Sequence, residues 1–432
     1  MDMQLNTPRL CGVVRAPSSK SEAHRHLIAA ALAGFYGAGY AVRRVRCTDL
    51  NEDIEATVRC LSALGASIAR EGEDFVITPI RQVPETAVLD CGESGSTMRF
   101  LLPVVCALGN FAPAGYSVSM VGHGRLPTRP LSPLYEELVA HGAVLSPQGR
   151  SPLTVRGALT AGDFAIDGGV SSQFVSGLFF ALPILDGNSR VEVTGRVESA
   201  PYIGMTLDAI STVTHAIVGD IPSLSIIGRG TATAHQVDAI MTAGGDWSGA
   251  SFFLVAGVLG GEGTAITLTG LDAASQQGDR AIVDILRRMG GRVDWEGDKL
   301  IAHPSCLHGC VIDATQVPDL VPVLSVAAAV AAGETRITGA ARLRIKESDR
   351  LRTVHDMLTA LGGDITETDD GLIIRGVQSL CGGVVDAAGD HRIAMSAAVA
   401  STRAAEMVTV TGAEAVAKSY PAFWEEFARM TI

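Results

Sequence analysis

Hydrophobic positions along this chain repeat six times in the same arrangement. Each repeat opens with a short turn rich in Ser, Gly or Asp and then runs into an apolar stretch. The turns are Ser18-Ser19-Lys20-Ser21, Glu93-Ser94-Gly95-Ser96, Val170-Ser171-Ser172-Gln173, Gly245-Asp246-Trp247-Ser248, Pro318-Asp319 and Gly389-Asp390-His391-Arg392. The runs that follow are His26–Gly34, Phe100–Gly109, Phe174–Leu185, Ser251–Gly260, Leu320–Ala332 and Ile393–Ala400. With Ser18, Ser94, Ser171, Asp246, Asp319 and Asp390 as markers, the steps are 76, 77, 75, 73 and 71 residues. So steady a period marks a chain built from one supersecondary unit used six times.

Most units continue with an amphipathic stretch that a Gly pair often closes, as in Glu52–Gly65, Pro133–Gly142, Asp279–Gly291 and Ser348–Gly363. A terminal Gly suits a helix end in the left-handed conformation. Short alternating segments, among them Phe75–Thr78, Arg190–Thr194, Ala265–Thr269 and Thr335–Thr338, read as strands. Each unit is therefore expected to be βαβαββ. Its first helix is apolar nearly all round and must be buried. Three such helices at the centre of a domain, running parallel, aim their N-termini at one end. That end gathers unpaired N–H donors and partial positive charge, a natural anion site. The turn residues are expected there as N-caps. Capping alone does not explain Lys20, Arg25, Arg99 and Arg392, because cations at a helix start oppose the dipole. They make sense where an anion binds.

Composition narrows the picture. The 432 residues exceed what one core supports, so two domains are expected. A net charge of −12 argues against nucleic acid as a partner but leaves room for local cationic sites. The eight Cys have neither CxxC nor disulfide-scaffold spacing, which fits a reducing cytoplasm and no metal. No apolar run is long enough to span a membrane, and no signal or transit peptide is visible.

The ordered set of turns resembles the enolpyruvyl transferase family, and within it the branch that acts on 3-phosphoshikimate. The similarity runs from Arg15-Ala16-Pro17-Ser18-Ser19-Lys20-Ser21 to Ala417-Lys418-Ser419-Tyr420-Pro421. It implies a two-domain inside-out α/β barrel, with residues 1–17 plus 236–432 in one domain, 18–235 in the other, and the active site in the cleft between. It implies phosphoenolpyruvate and 3-phosphoshikimate as substrates, no metal or organic cofactor, and a monomer. In the segment Pro17–Arg25, Lys20 would touch both substrates, while Ser21 and Arg25 would bind 3-phosphoshikimate. Gly95, in Gly92–Arg99, matches the glycine that lies against phosphoenolpyruvate. Its retention implies sensitivity to glyphosate, although Glu93-Ser94 and Phe100 replace the family's common Asn-Ala and Pro.

Arg129, in Arg125-Leu126-Pro127-Thr128-Arg129-Pro130, matches an arginine for phosphoenolpyruvate. Ser171, Ser172 and Gln173 resemble the triplet that holds the shikimate phosphate, with Gln173 reaching both ligands, and Ser199 matches another phosphate contact. In the second half the resemblance gives Lys346 to the shikimate hydroxyls and Arg350, Arg392 and Lys418 to phosphoenolpyruvate. Asp319 and Glu347 are the carboxylates for proton transfer, with Asp319 also on 3-phosphoshikimate. Which acts as acid and which as base stays open, as does the role of His391. Arg342 stands where many members have Asn. Two rival readings are a transferase acting on UDP-N-acetylglucosamine and a non-enzymatic repeat scaffold. The first typically carries a Cys in the loop corresponding to Asn110–Arg125, which has none here. The second leaves the cations at the helix starts unexplained.

Overall fold

The computed structural model describes residues 1–6, 9–229 and 240–432. The chain divides into two compact units, one of Met1–Pro17 with Gly244–Ile432 and one of Ser18–Ala243. The first crossing falls at the Pro17–Ser18 bond. The second falls at the Ala243–Gly244 bond; the position expected for it, near residue 235, lies outside the described residues.

The six apolar runs form the helices Lys20–Leu32, Gly95–Leu108, Ser172–Ala181, Trp247–Val258, Val321–Ala329 and His391–Ser401. Every residue of the last two is buried, as their all-round apolarity requires. Four of the marker residues cap their helix: the side chains of Ser94, Ser171, Asp246 and Asp390 accept from the backbone N–H of Thr97, Gln173, Gly249 and Arg392. Two markers depart from the expectation. Ser19, not Ser18, caps the first helix, accepting from Glu22 N, and Ser18 instead bonds Thr48 and Asp49. Asp319 caps nothing; it sits in a 3-10 turn, Pro318–Leu320, and turns its carboxylate to basic side chains. The next helix opens with Pro322 in its first turn, where a missing N–H does no harm.

Strands surround these helices as separate small sheets. In a representative repeat, Thr86–Asp90 pairs parallel with Ser117–Val121, which pairs antiparallel with Leu153–Gly157 and through it with Ala143–Leu145. The parallel pair brackets the buried helix, because a parallel connection needs a crossover. Among the described residues, five sheets have four strands in this order. The sixth has three, with the N-terminal strand Asp2–Leu5 antiparallel to Val408–Thr411. Two more sheets also complete themselves with strands remote in sequence: Gly12–Arg15 pairs with Ile266–Thr269, and Met241–Thr242 pairs with Val45 and Arg46 of the strand Arg43–Arg46. The core of each unit is one continuous apolar cluster around its three central helices. Among the described residues, no helix is long and apolar enough to cross a membrane.

Candidate active site

In the unit Ser18–Ala243, three helix starts come together. Lys20 opens the first helix and its Nζ lies 2.8 Å from Asp53 Oδ2, at the start of the helix Glu52–Ala63. Gly95 opens the second, and a Cβ there would stand 2.7 Å from Arg129 Nη1. The bare glycine is what lets that guanidinium approach the turn. Gln173, in the third, is held at both ends of its amide: Arg99 Nη1 donates to Oε1 at 2.9 Å and Nε2 donates to Ser96 Oγ at 2.9 Å. Arg99 also donates to the carbonyl of Pro130, next to Arg129. Ser171, the N-cap, and Ser172 precede Gln173 at the helix start.

Arg25 is buried and reaches the fourth element of this cluster. Its Nε donates to Thr206 Oγ1, and its two terminal nitrogens donate to the carbonyls of Ser21 and Tyr202. Its guanidinium lies 4.9 Å over the Phe100 ring, and burial lowers its pKa to about 10. Three of its five donors are thus engaged. Ser199 begins the helix Ala200–Ser211 at φ 55 and ψ 40, a left-handed conformation that a side chain adopts only under constraint. Strain of this kind gathers at binding sites.

In the other unit, Asp319 is the hub. Its carboxylate is 2.7 Å from Arg350 Nη1, 3.1 Å from Arg392 Nη2 and 3.9 Å from Lys346 Nζ. Burial pushes this carboxyl up, but the three cations outweigh burial and hold it well below the ordinary carboxylate range. Arg350 is 1% exposed and spends its donors on Asp319, Glu347 and Asp390, at 2.7, 2.7 and 2.8 Å. Burial disfavours its charge, yet three carboxylates raise its pKa above the usual value. Asp390, at 0% exposure, is held below its ordinary pKa against burial by Arg350 and His391. Lys346 is pulled down to about 8, chiefly by burial. Lys418 Nζ donates to the carbonyl of Gly389 at 2.7 Å, beside the Asp390-His391-Arg392 helix start. Arg342 donates to the carbonyl of Thr315.

The structure therefore gathers Lys20, Ser21, Arg25, Gly95, Arg129, Ser171, Ser172, Gln173 and Ser199 at the helix starts of one unit. It gathers Asp319, Lys346, Glu347, Arg350, Arg392 and Lys418 at those of the other. Sequence reasoning missed Asp53 and Asp279, and it read Arg99 as a cation for an anion, not as the tie between Gln173 and Pro130. Asp53 anchors Lys20, and Arg99 ties Gln173 to the Pro130 carbonyl. Asp279 is buried against Ser248, whose hydroxyl donates to it at 2.6 Å. Burial first, then the charge of Asp319, lifts the Asp279 carboxyl to about 6. Asp53 and Asp279 both stand at the start of the second element of their unit, so the repeat carried a signal there too. Among the described residues, no three His, Cys, Asp or Glu side chains group as a metal site.

Known proteins resemble this chain along almost its whole length. Residues 6–427 match the family described as EPSP synthase (3-phosphoshikimate 1-carboxyvinyltransferase). A 3-phosphoshikimate 1-carboxyvinyltransferase from Clostridium kluyveri is 40% identical over 427 residues, covering 98% of this chain and 96% of the relative. One from Clostridium perfringens is 41% identical over 424 residues, covering 97% and 96%. Among solved structures, EPSP synthase from Acinetobacter baumannii aligns with a TM-score of 0.77 at 26% identity, covering 100% of this chain and 98% of that one. An enolpyruvyl transferase from Streptomyces tendae shares the fold, with a TM-score of 0.75 at 19% identity over 99% and 97%. With its sequence matched almost from end to end and its fold shared with a solved EPSP synthase, this chain belongs to the EPSP synthase family.

Proposed function

We propose that this enzyme transfers the enolpyruvyl (1-carboxyvinyl) group of phosphoenolpyruvate to the 5-hydroxyl of 3-phosphoshikimate, releasing phosphate, on the route to chorismate and the aromatic amino acids. What carries the reading is the family match over residues 6–427. The clustered cations at the helix starts support it, since both substrates are anions. The reaction adds and then eliminates. The 5-hydroxyl attacks C2 of phosphoenolpyruvate as C3 takes a proton, giving a tetrahedral phospho-ketal. Phosphate then leaves, and loss of a C3 proton forms the enol ether.

The roles divide between the two units. Lys20, Ser21, Arg25, Ser171, Ser172, Gln173 and Ser199 serve 3-phosphoshikimate, with Lys346 and Asp319 on its hydroxyls. Lys20, Gly95, Arg129, Gln173, Arg350, Arg392 and Lys418 serve phosphoenolpyruvate. A bare backbone at Gly95 lets N–H groups approach a phosphate, and Arg offers a planar fork to a carboxylate. The cations stabilise the charge that grows as phosphate departs. Asp319 and Glu347 move the protons. Held by three cations, Asp319 is a weak base. An anion drawing the field of Arg350 and Arg392 to itself raises the Asp319 pKa and readies it to accept a proton. We place the enzyme in the cytoplasm and read it as a monomer that needs no cofactor.

A phosphate-release assay with each acceptor tests this. Phosphate is expected with phosphoenolpyruvate plus 3-phosphoshikimate and not with UDP-N-acetylglucosamine. Lys20→Ala is expected to lose at least about 100-fold in kcat/KM, the scale of removing one transition-state anion contact. Release only with the nucleotide sugar, or none with either acceptor, overturns the assignment. Near-wild-type turnover by Lys20→Ala overturns the placement of the site.

A further inference from the structure

Beneath the Ser94-Gly95 turn runs a ladder of four fully buried polar side chains that the reaction as described does not use. His24, Thr57 and Thr97 are 0% exposed and Ser94 is 1% exposed. His24 Nδ1 lies 2.7 Å from Thr57 Oγ1, Thr57 Oγ1 lies 2.7 Å from Thr97 Oγ1, and Thr97 Oγ1 lies 2.8 Å from Ser94 Oγ.

Counting protons gives this ladder a direction. Thr97 has one hydroxyl proton, which points to Ser94 Oγ at 2.8 Å or to the Asp53 carbonyl at 3.4 Å. Either way it is not on Thr57. Thr57 must therefore donate to Thr97, and its own proton is spent. The partner of Thr57 on the other side has to be a donor, so His24 carries its proton on Nδ1. Nε2 is then a lone pair facing inward, and among the described residues it has no partner. Burial, with the charges of Lys20 and Arg25, lowers the His24 pKa well below its usual value, so the ring is neutral. An apolar side chain of similar shape would avoid burying that idle acceptor. Nε2 is thus an idle acceptor, and Nδ1–H is the end that is bonded.

The ladder's position gives it work. His24 and Lys20 stand four apart on one helix, and Thr57 and Asp53 stand four apart on the next. Two rungs, Lys20–Asp53 and His24–Thr57, lock these helices in register. The far end fixes Ser94, whose oxygen receives both the hydroxyl and the backbone N–H of Thr97. Gly95 follows directly, facing Arg129.

We propose that His24, as its Nδ1–H tautomer, acts with Thr57 and Thr97 as a positioning relay that sets the Ser94-Gly95 turn against Lys20 and so tunes the binding of phosphoenolpyruvate. The inference rests on the reading above. None of the three residues touches substrate; each acts through Ser94 or Lys20.

The test compares His24→Leu with His24→Asn, and Thr57→Val with Thr57→Ser, in steady-state assays of the full chain. His24→Leu and Thr57→Val should raise KM for phosphoenolpyruvate about five- to tenfold, the factor that one net hydrogen bond is worth. KM for 3-phosphoshikimate and kcat should stay within about twofold. Asn, which keeps a donor, and Ser, which keeps the hydroxyl, should restore most of the loss. A fall in melting temperature with an unchanged KM makes the ladder structural only and overturns the proposal. So does equal behaviour of Leu and Asn. Nitrogen-15 imidazole spectra of the wild-type protein supply a readout independent of turnover: His24 should show a protonated Nδ1 and an unprotonated Nε2, and the opposite tautomer sinks the ladder. If the wild type releases no phosphate with either acceptor, the functional reading has failed, and the tautomer alone decides the ladder's direction.

Discussion

Replacing Arg350 with Met should destabilise one unit in a manner whose pH dependence runs opposite to the wild type's. Arg350 sits among Asp319, Glu347 and Asp390 at 2.7–2.8 Å. Asp390 is fully buried, and the other two have side chains about a fifth exposed, so solvent screens little of the interaction. Methionine fills similar volume without charge and leaves the carboxylates facing one another. Breaking a buried ion pair from one side costs about 3–5 kcal/mol. For a unit of this size, each kcal/mol lowers the melting temperature by roughly 2–4 °C, so a fall of about 6–20 °C is expected near pH 7.5.

The sign follows from the pKa directions. In the wild type, Asp319 and Asp390 are depressed, so their stabilisation is present above the ordinary carboxylate range and fades as pH falls below it. In the variant, burial and mutual repulsion lift them, so the folded state holds protons longer than the unfolded chain. The loss should then shrink as pH falls from 7.5 to 5.5, by up to about 1.4 kcal/mol per pH unit for each group that takes up a proton. All three tryptophans, Trp247, Trp295 and Trp424, lie in this unit, so their emission during thermal unfolding reports on it alone. A deficit below about 1 kcal/mol would mean the cage contributes little. A deficit that stays constant between pH 5.5 and 7.5 would refute the electrostatic reasoning.

Gly95→Ala should fold normally, because the atom its Cβ meets at 2.7 Å is the end of the flexible Arg129 side chain. KM for phosphoenolpyruvate should rise at least about tenfold as that guanidinium is displaced, and glyphosate should inhibit less; an unchanged KM argues against Arg129 as the contact. Asp279→Asn should stabilise its unit at pH 7.5 by about 1–3 kcal/mol and by far less near pH 4.5. With a folded pKa of about 6, Asp279 loses stability as pH rises from the ordinary carboxylate value to 6, and Asn does not titrate. Equal stabilisation at both pH values in thermal melts would contradict this. Because Lys346 is depressed to about 8, kcat/KM for 3-phosphoshikimate should decline as pH rises through 8 and the ammonium is lost. Lys346→Arg should move that limb several units higher, and an unmoved limb would assign it to another group.

The repeat, the buried character of the six helices and the cations at their starts were legible in the sequence because each is local: a periodicity, an apolar run, a charge beside a turn. The strand expectations fell on observed strands for the same reason, with Arg190–Thr194 inside Ser189–Thr194. The partners of the site residues were not legible. That Asp53 meets Lys20, that Arg99 bridges Gln173 and the Pro130 carbonyl, and that Thr57 meets Thr97 depend on which helix faces touch, and no period encodes that. Ser18 and Ser19 are equal candidates for a cap until the chain's path gives Ser18 to Thr48. Asp319 read as a cap because Asp commonly is one. The pull of three cations decides otherwise.

The strand Gly12–Arg15 carries a consequence for how the protein is made. Its parallel partner begins at Ile266, so a ribosome emits more than 250 further residues before the pairing can form. At roughly 5–20 residues per second that is a wait of roughly 10–50 s. Ser18–Ala243 is one continuous stretch and can condense during that interval. Met1–Pro17 meanwhile hangs as an open hydrogen-bonding edge, the condition in which nascent chains most need shielding from one another. Synthesis order thus exposes one end of the molecule to misassembly while sparing the middle.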